Sequence, residues 1–236
     1  MTMTAELRDS LAHIPTATLS NVLFRRGHAN CWVRASTPLF PDQKRAVGPA
    51  FTMRFVPARP DLLAPSSPKS VNIRLAIEEI PQGAVVVIDA MGFTGGGTIG
   101  DIMALRMTKK GVAALVTDGM TRDRQGIRRS ALPVWSRGTA APPVGVGLAF
   151  AGWQQTVGCG GVAVQPGDII VADGDGALVI PCDMAAEVAA EALEAERLEE
   201  WIVRQVENGA ALPGLYPPDA ETLARFQRET ADRGRR

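Results

Sequence analysis

Apolar positions along this chain follow two repeats, one helical and one extended, and the switches between them mark out its elements. Over residues 16–26, Leu19, Val22 and Leu23 share a helical face, with Thr16 placed to cap the start and Gly27 to stop it. Residues 47–56 (VGPAFTMRFV) read as a strand. Residues 57–68 carry four prolines and read as a loop, after which Ser67-Pro68 opens a helix running to about Ile80. The β-branched run 84–89 (AVVVID) has the character of a buried parallel strand. A glycine-rich turn (GFTGGGTIGD) then enters a helix predicted over 99–110 and closed by Gly111, and 112–117 (VAALVT) forms a second buried strand. Together these make a βαβ unit, expected to be right-handed.

After Arg129 the texture changes to short strands at 133–137, 161–164, 168–172 and 177–180, divided by Gly, Pro and Asp turns such as Asp173-Gly174 and Asp175-Gly176. Residues 185–207 form one long helix with Val188, Ala192, Ala195, Leu198, Ile202 and Val206 on a stripe, stopped by Gly209. The pattern predicts an α/β protein with a single domain over 1–212, ending in that long helix, and a surface or intersubunit extension over 213–236. No repeat of solenoid length is present.

Composition narrows the function. Twenty-five acidic and twenty-five basic residues balance, so no net field favours nucleic acid or an anionic membrane. Three separated cysteines and two histidines supply neither a disulfide framework nor a structural zinc site. Residues 1–10 lack an apolar signal core and no apolar run is long enough to span a bilayer, so a cytoplasmic location is expected. Cys159 in GCGG reads as a small buried residue, with no histidine nearby in sequence to activate it.

The chemistry concentrates in two segments that the βαβ unit brings to one sheet edge. One is 95–101 (GGGTIGD), a helix entry whose free N–H groups and dipole favour an anion. The other is 118–123 (DGMTRD), at the end of the next strand. Residues 95–100 also match GxGxxG, with Asp118 about twenty residues on, as in a dinucleotide site. Against that reading stand Asp101 directly after the last glycine, Asp89 at the preceding strand end, and the β-rich texture that follows. Asp101 and Asp123 instead suit Mg²⁺ or Mn²⁺, which keep several waters and need only one or two carboxylates. Arg122 is placed to fork onto a substrate carboxylate; a plain surface turn with local ion pairs is the other reading of the same residues.

GGGTIGD, DGMTRD and the later PGDIIVADGDGALVIP resemble the RraA-like family over residues 16–207. That family includes 4-hydroxy-4-methyl-2-oxoglutarate/4-carboxy-4-hydroxy-2-oxoadipate aldolases and regulators of ribonuclease activity. The resemblance implies a layered αββα fold, assembled as trimers or dimers of trimers with the site near a subunit interface. It implies that Asp123 binds the metal directly, that Asp101 holds a metal-bound water, and that Arg122 binds the pyruvyl carboxylate. Backbone N–H groups around Gly100, Asp101, Ile102 and Met103 would complete that carboxylate site. Where family members often carry an acid near the early helix, this chain has Asn21.

Cleaving a bond beta to a ketone requires a stabilised enolate, through a lysine Schiff base or a metal. The four lysines, Lys44, Lys69, Lys109 and Lys110, fall outside the buried strands, which leaves the metal route. The expected activity is a class II aldolase acting on a 4-hydroxy-2-oxo acid. A 2-oxo-3-deoxy sugar acid dehydratase and an oxaloacetate decarboxylase share its chemistry, and a non-catalytic ribonuclease regulator is the rival of another class. Arg54, Arg59 and Arg74 are candidates for the distal pocket.

Overall fold

The computed structural model describes residues 3–64 and 71–233. In chain order, α1 (Ala5–His13) and α2 (Thr16–Arg25) precede β1 (Thr37–Pro38) and β2 (Ala46–Pro57). Then come α3 (Pro60–Leu63), α4 (Ile73–Glu79), β3 (Val85–Asp89), α5 (Asp101–Lys109), β4 (Ala114–Thr117), β5 (Met120–Thr121), α6 (Arg124–Ser130) and β6 (Val134–Ser136). The remainder is β7 (Gly138–Thr139), β8 (Leu148–Trp153), β9 (Val157–Cys159), β10 (Val162–Val164), β11 (Ile169–Asp173), β12 (Gly176–Ile180), α7 (Ala185–Glu207) and α8 (Ala220–Arg233). The chain divides into two compact units, Met1–Ala189 and Ala190–Arg236.

The first unit is built on a mixed sheet ordered β1-β6-β4-β3-β2-β11-β12, with β8 also paired to β2. Its centre is parallel: β3 runs with β2 on one side and β4 on the other, and β4 runs with β6. Successive β3 side chains serve two different cores, as the period of two requires. Val86 and Ile88 pack with Ala76, Ile77, Ala104, Met107 and Ile127 of the helices, whereas Val85 and Val87 pack with Val157, Val162, Ile170 and Val179 of other strands. β3 is therefore apolar on both faces, which explains its unbroken β-branched run. The terminal strands β1 and β12 come into contact, so the sheet nearly closes on itself.

Most expected elements are present within a residue or two. Four findings differ. The stretch 57–68, expected as a loop, holds the short helix α3, which a proline at its first turn can open as readily as it breaks a strand. Thr16 does not cap α2: Pro15 occupies that position, and the Thr16 N–H and hydroxyl both donate to Asp173 instead, at 2.9 and 2.7 Å. The helix leading to Ile80 is described from Ile73, capped by Asn72, and its expected opening at Ser67-Pro68 lies outside the described residues. The change of texture after Arg129 conceals a second parallel crossover, since β6 joins β4 through α6. Seven residues of α6, with a glycine inside, are too short for a helical repeat to stand out.

In the second unit, Trp201, Ile202 and Leu215 form a small core with Leu198 and Phe226 packed against it. Trp201 Nε1 donates to Glu229 at 2.8 Å.

Candidate active site

The site begins with the ends of β3 and β4. Parallel pairing, Val85↔Ala114 through Ile88↔Thr117, brings their carboxyl ends together. The segment after β3 then runs back across the one after β4. Gly97 bridges to Met120, the Thr98 N–H donates to the Met120 carbonyl at 2.8 Å, and the Arg122 N–H donates to the Ile99 carbonyl at 2.9 Å. These bonds place DGMTRD directly beside the entry to α5.

Two glycines make the contact close. A Cβ on Gly100 would lie 2.6 Å from Asp123 Oδ2, and one on Gly126 would lie 2.5 Å from Asp101 Oδ2. The Asp123 carboxylate thus occupies the space above the N-cap of α5, and the Asp101 carboxylate lies against α6. Asp123 sits at the N-cap position of α6 in the left-handed region (φ 57, ψ 46), an uncommon conformation for a non-glycine residue. Its side chain makes no cap hydrogen bond to its own helix; Arg122 Nε donates to Asp123 Oδ2 at 3.2 Å. The Nη groups of Arg122 have no protein partner among the described residues. Both side chains are partly exposed, so a small molecule can reach them.

At the α5 entry, the first N–H groups have no intrahelical acceptor, and the first helical bond of this turn runs from the Ala104 N–H to the Gly100 carbonyl. Asp101 Oδ1 accepts from the Ile102 N–H at 2.8 Å, holding one of these donors. Beside it lies a depression of about 160 Å³ lined by Asp101, Ile102, Leu105, Gly126, Arg129 and Ser130. A second, of about 310 Å³, is lined by Arg74, Ile77, Glu78, Ile102, Met103 and Arg106. Of the three distal candidates, Arg74 alone borders a pocket next to the α5 entry; Arg59 pairs with Asp61 at 2.7 Å.

A buried acid supports this edge from behind. The Asp118 carboxylate accepts N–H donors from Ala90, Gly92 and Gly160 at 2.8, 3.0 and 3.1 Å. Burial pushes its carboxyl above the usual range against the pull of those hydrogen bonds, with the charge of Asp89 adding to the rise. A carboxylate engaged in this way is not free to bind a ribose, which removes the residue that made a dinucleotide site plausible. Cys159 is fully buried with its thiol on the Ile88 carbonyl at 3.4 Å, and burial pushes that thiol well above its ordinary range. It is a packing residue.

Arg122 and Asp123 are therefore paired over Gly100 at the entry to α5, whereas the Asp101 carboxylate, one residue on, faces Gly126 of α6 and holds the Ile102 N–H; Met103 follows in the same first turn. Sequence reasoning passed over Gly126, whose signal was a glycine inside a helix, a costly choice unless packing needs it. No group of three His, Cys, Asp or Glu side chains is placed to hold a metal ion among the described residues. The acids at this edge, Asp101 and Asp123, carry hard oxygen donors, which by their chemistry suit Mg²⁺ or Mn²⁺ better than a thiolate- or imidazole-seeking metal.

Fold and site together define a mixed α/β protein with an Arg122–Asp123 pair and the neighbouring Asp101 at the carboxyl edge of its parallel strands. Residues 9–179 match the RraA-like family, described as Aldolase/RraA, and the chain belongs to that family. A Halalkalibacterium halodurans protein named "Putative 4-hydroxy-4-methyl-2-oxoglutarate aldolase" is 30% identical over 206 residues, covering 86% of this chain and 90% of its own. The DlpA protein of Legionella pneumophila is 29% identical over 168 residues, or 71% of this chain, which spans only 26% of DlpA. Among solved structures, Streptomyces coelicolor RraAS2 is described as an unusual member of the RNase ES inhibitor RraA protein family. It is 31% identical with a TM-score of 0.77, covering 85% of this chain and 97% of its own.

Proposed function

We propose that this chain is a divalent-metal-dependent carbon–carbon lyase of the class II aldolase type, cleaving a 4-hydroxy-2-oxo acid to pyruvate and a second carbonyl compound. The observation that carries the reading is the seating of the Asp123 carboxylate over Gly100, beside Asp101 and Arg122, at a helix entry with N–H groups to offer. The name of the H. halodurans relative supports the same reaction class.

Asp123 would hold Mg²⁺ or Mn²⁺ directly and Asp101 through a water. Such an ion, when bound, supplies Lewis-acid polarisation of the 2-oxo group. The chain's own residues do the rest. Arg122, through its unpartnered Nη groups, and the N–H groups of Ile102 and Met103 hold the substrate carboxylate. Seating it there frees Asp101 Oδ1 from the Ile102 N–H, and Asp101 takes the proton of the 4-hydroxyl through a water. As the C3–C4 bond breaks, C4 becomes a carbonyl and the electron pair moves into C2–C3. Protonation at C3 then gives pyruvate. Oxaloacetate decarboxylation and dehydration of a 2-oxo-3-deoxy sugar acid would use the same carboxylate seat with a different leaving group. The homotrimer or dimer of trimers that the family resemblance implies would place a neighbouring subunit at this edge, where Ile102 is 81% exposed.

The likeness to RraAS2 favours one second reading, a ribonuclease-regulating binding protein. A panel of 4-hydroxy-2-oxo acids, oxaloacetate and 2-oxo-3-deoxy sugar acids, with Mg²⁺ or Mn²⁺ and with chelator, separates the two. Metal-dependent pyruvate release from the hydroxy acids supports the lyase. Capture of an RNase E-type partner with no turnover of any acid supports the regulator.

A further inference from the structure

Several arginines around the site are already engaged. Arg106 pairs with Glu78, Arg122 with Asp123 and Arg128 with Asp42, while Arg124 donates to the Leu39 carbonyl. Arg129 has no protein partner among the described residues, yet it lines the same depression as Asp101. That depression lies between α5 and α6. Gly126 has no side chain, so Asp101 packs closely against α6 at one end of the depression, and Ile102 and Leu105 give it an apolar wall. A groove holding the candidate catalytic acid, an apolar wall and an unneutralised guanidinium is suited to a molecule with a reactive end, a short carbon chain and a distal anion.

We propose that Arg129 is a specificity-determining residue: it binds an anionic group, such as a carboxylate, at the distal end of a 2-oxo acid whose 1-carboxylate is held by Arg122. The assignment rests on the lyase reading for the placement of that first carboxylate. What it adds is a second cation, in the depression that Arg129 shares with Asp101. Arg129 touches neither the 2-oxo group nor the bond that breaks, so its loss should weaken binding of substrates bearing the distal group and leave the chemical step in place.

Two measurements with Mn²⁺ present test this. In the first, 2-oxoglutarate and 2-oxopentanoate, which share a chain length but differ in the distal carboxylate, are titrated calorimetrically into the wild-type protein and into Arg129→Gln and Arg129→Lys. The wild type should bind 2-oxoglutarate at least tenfold more tightly. Arg129→Gln should abolish that preference without weakening 2-oxopentanoate, and Arg129→Lys should restore part of it. In the second, pyruvate release from 4-hydroxy-4-methyl-2-oxoglutarate should show KM raised about tenfold in Arg129→Gln, with kcat within about threefold. A wild type that binds the two acids equally or binds neither, or an Arg129→Gln that keeps the preference, overturns the subsite. An Arg129-dependent preference in a protein that cleaves nothing upholds the subsite and removes the lyase reading, whereas cleavage with no preference does the reverse.

Discussion

Gly100 and Gly126 are as informative as the charged residues they adjoin. Each leaves out a Cβ that would crowd a candidate carboxylate oxygen, so alanine at either position would move an acid without removing it. Because displacements of about 1 Å at a reacting centre can cost about a hundredfold in rate, Gly100→Ala should lower metal-dependent pyruvate release by at least about tenfold. Its circular dichroism spectrum should be unchanged; full activity would show that the position of Asp123 is unimportant. Asp118 has a different task. Asp118→Ala leaves three backbone donors without their acceptor, two in the turn after β3 and one at the β9–β10 turn. A stability loss of about 3 kcal/mol or more in urea unfolding is expected; less than about 1 kcal/mol would mean that water replaces the carboxylate.

At the scale of elements, Asp173 joins three of them. It lies at the β11–β12 turn, receives both Thr16 donors at the start of α2, and pairs with Arg45 at 3.2 Å. Burial works to raise its carboxyl, but the hydrogen bonds from Thr16 and Asp175 and the charge of Arg45 outweigh it and hold the group below the ordinary range. It therefore binds fewer protons folded than unfolded, and its stabilisation is present above about pH 4 and lost as pH falls through the folded value. The stability gap between wild type and Asp173→Asn should be wide at pH 7 and narrow towards about pH 3 in thermal melts. A gap that does not depend on pH would contradict this role. Strand β3 shows what was legible in the sequence: its β-branched run announced burial on both faces, and Ile88→Ala, at a fully buried position, should cost about 2–5 kcal/mol. The Thr16–Asp173 contact was not legible, because local spacing cannot tell a capping threonine from one that donates to an acid 157 residues away.

For the whole molecule, the main sheet edge and its three candidate charges could be read from GGGTIGD and DGMTRD, since one βαβ unit spans both. The near closure of the sheet and the second crossover through α6 depend on long-range pairing that no local pattern encodes. Gly126 and Arg129 became visible only once α6 was laid against α5. If a neighbour covers the exposed Ile102 edge, light scattering should give about 75 or 150 kDa for a 25.0 kDa chain, and a mass of about 25 kDa would exclude that assembly. The most direct test of the site is pyruvate release from 4-hydroxy-4-methyl-2-oxoglutarate by the wild type and by Asp123→Ala, with Mn²⁺ and after chelation. Turnover by the wild type that stops with chelator and is absent from a folded Asp123→Ala is the predicted result; equal turnover by both proteins would contradict it.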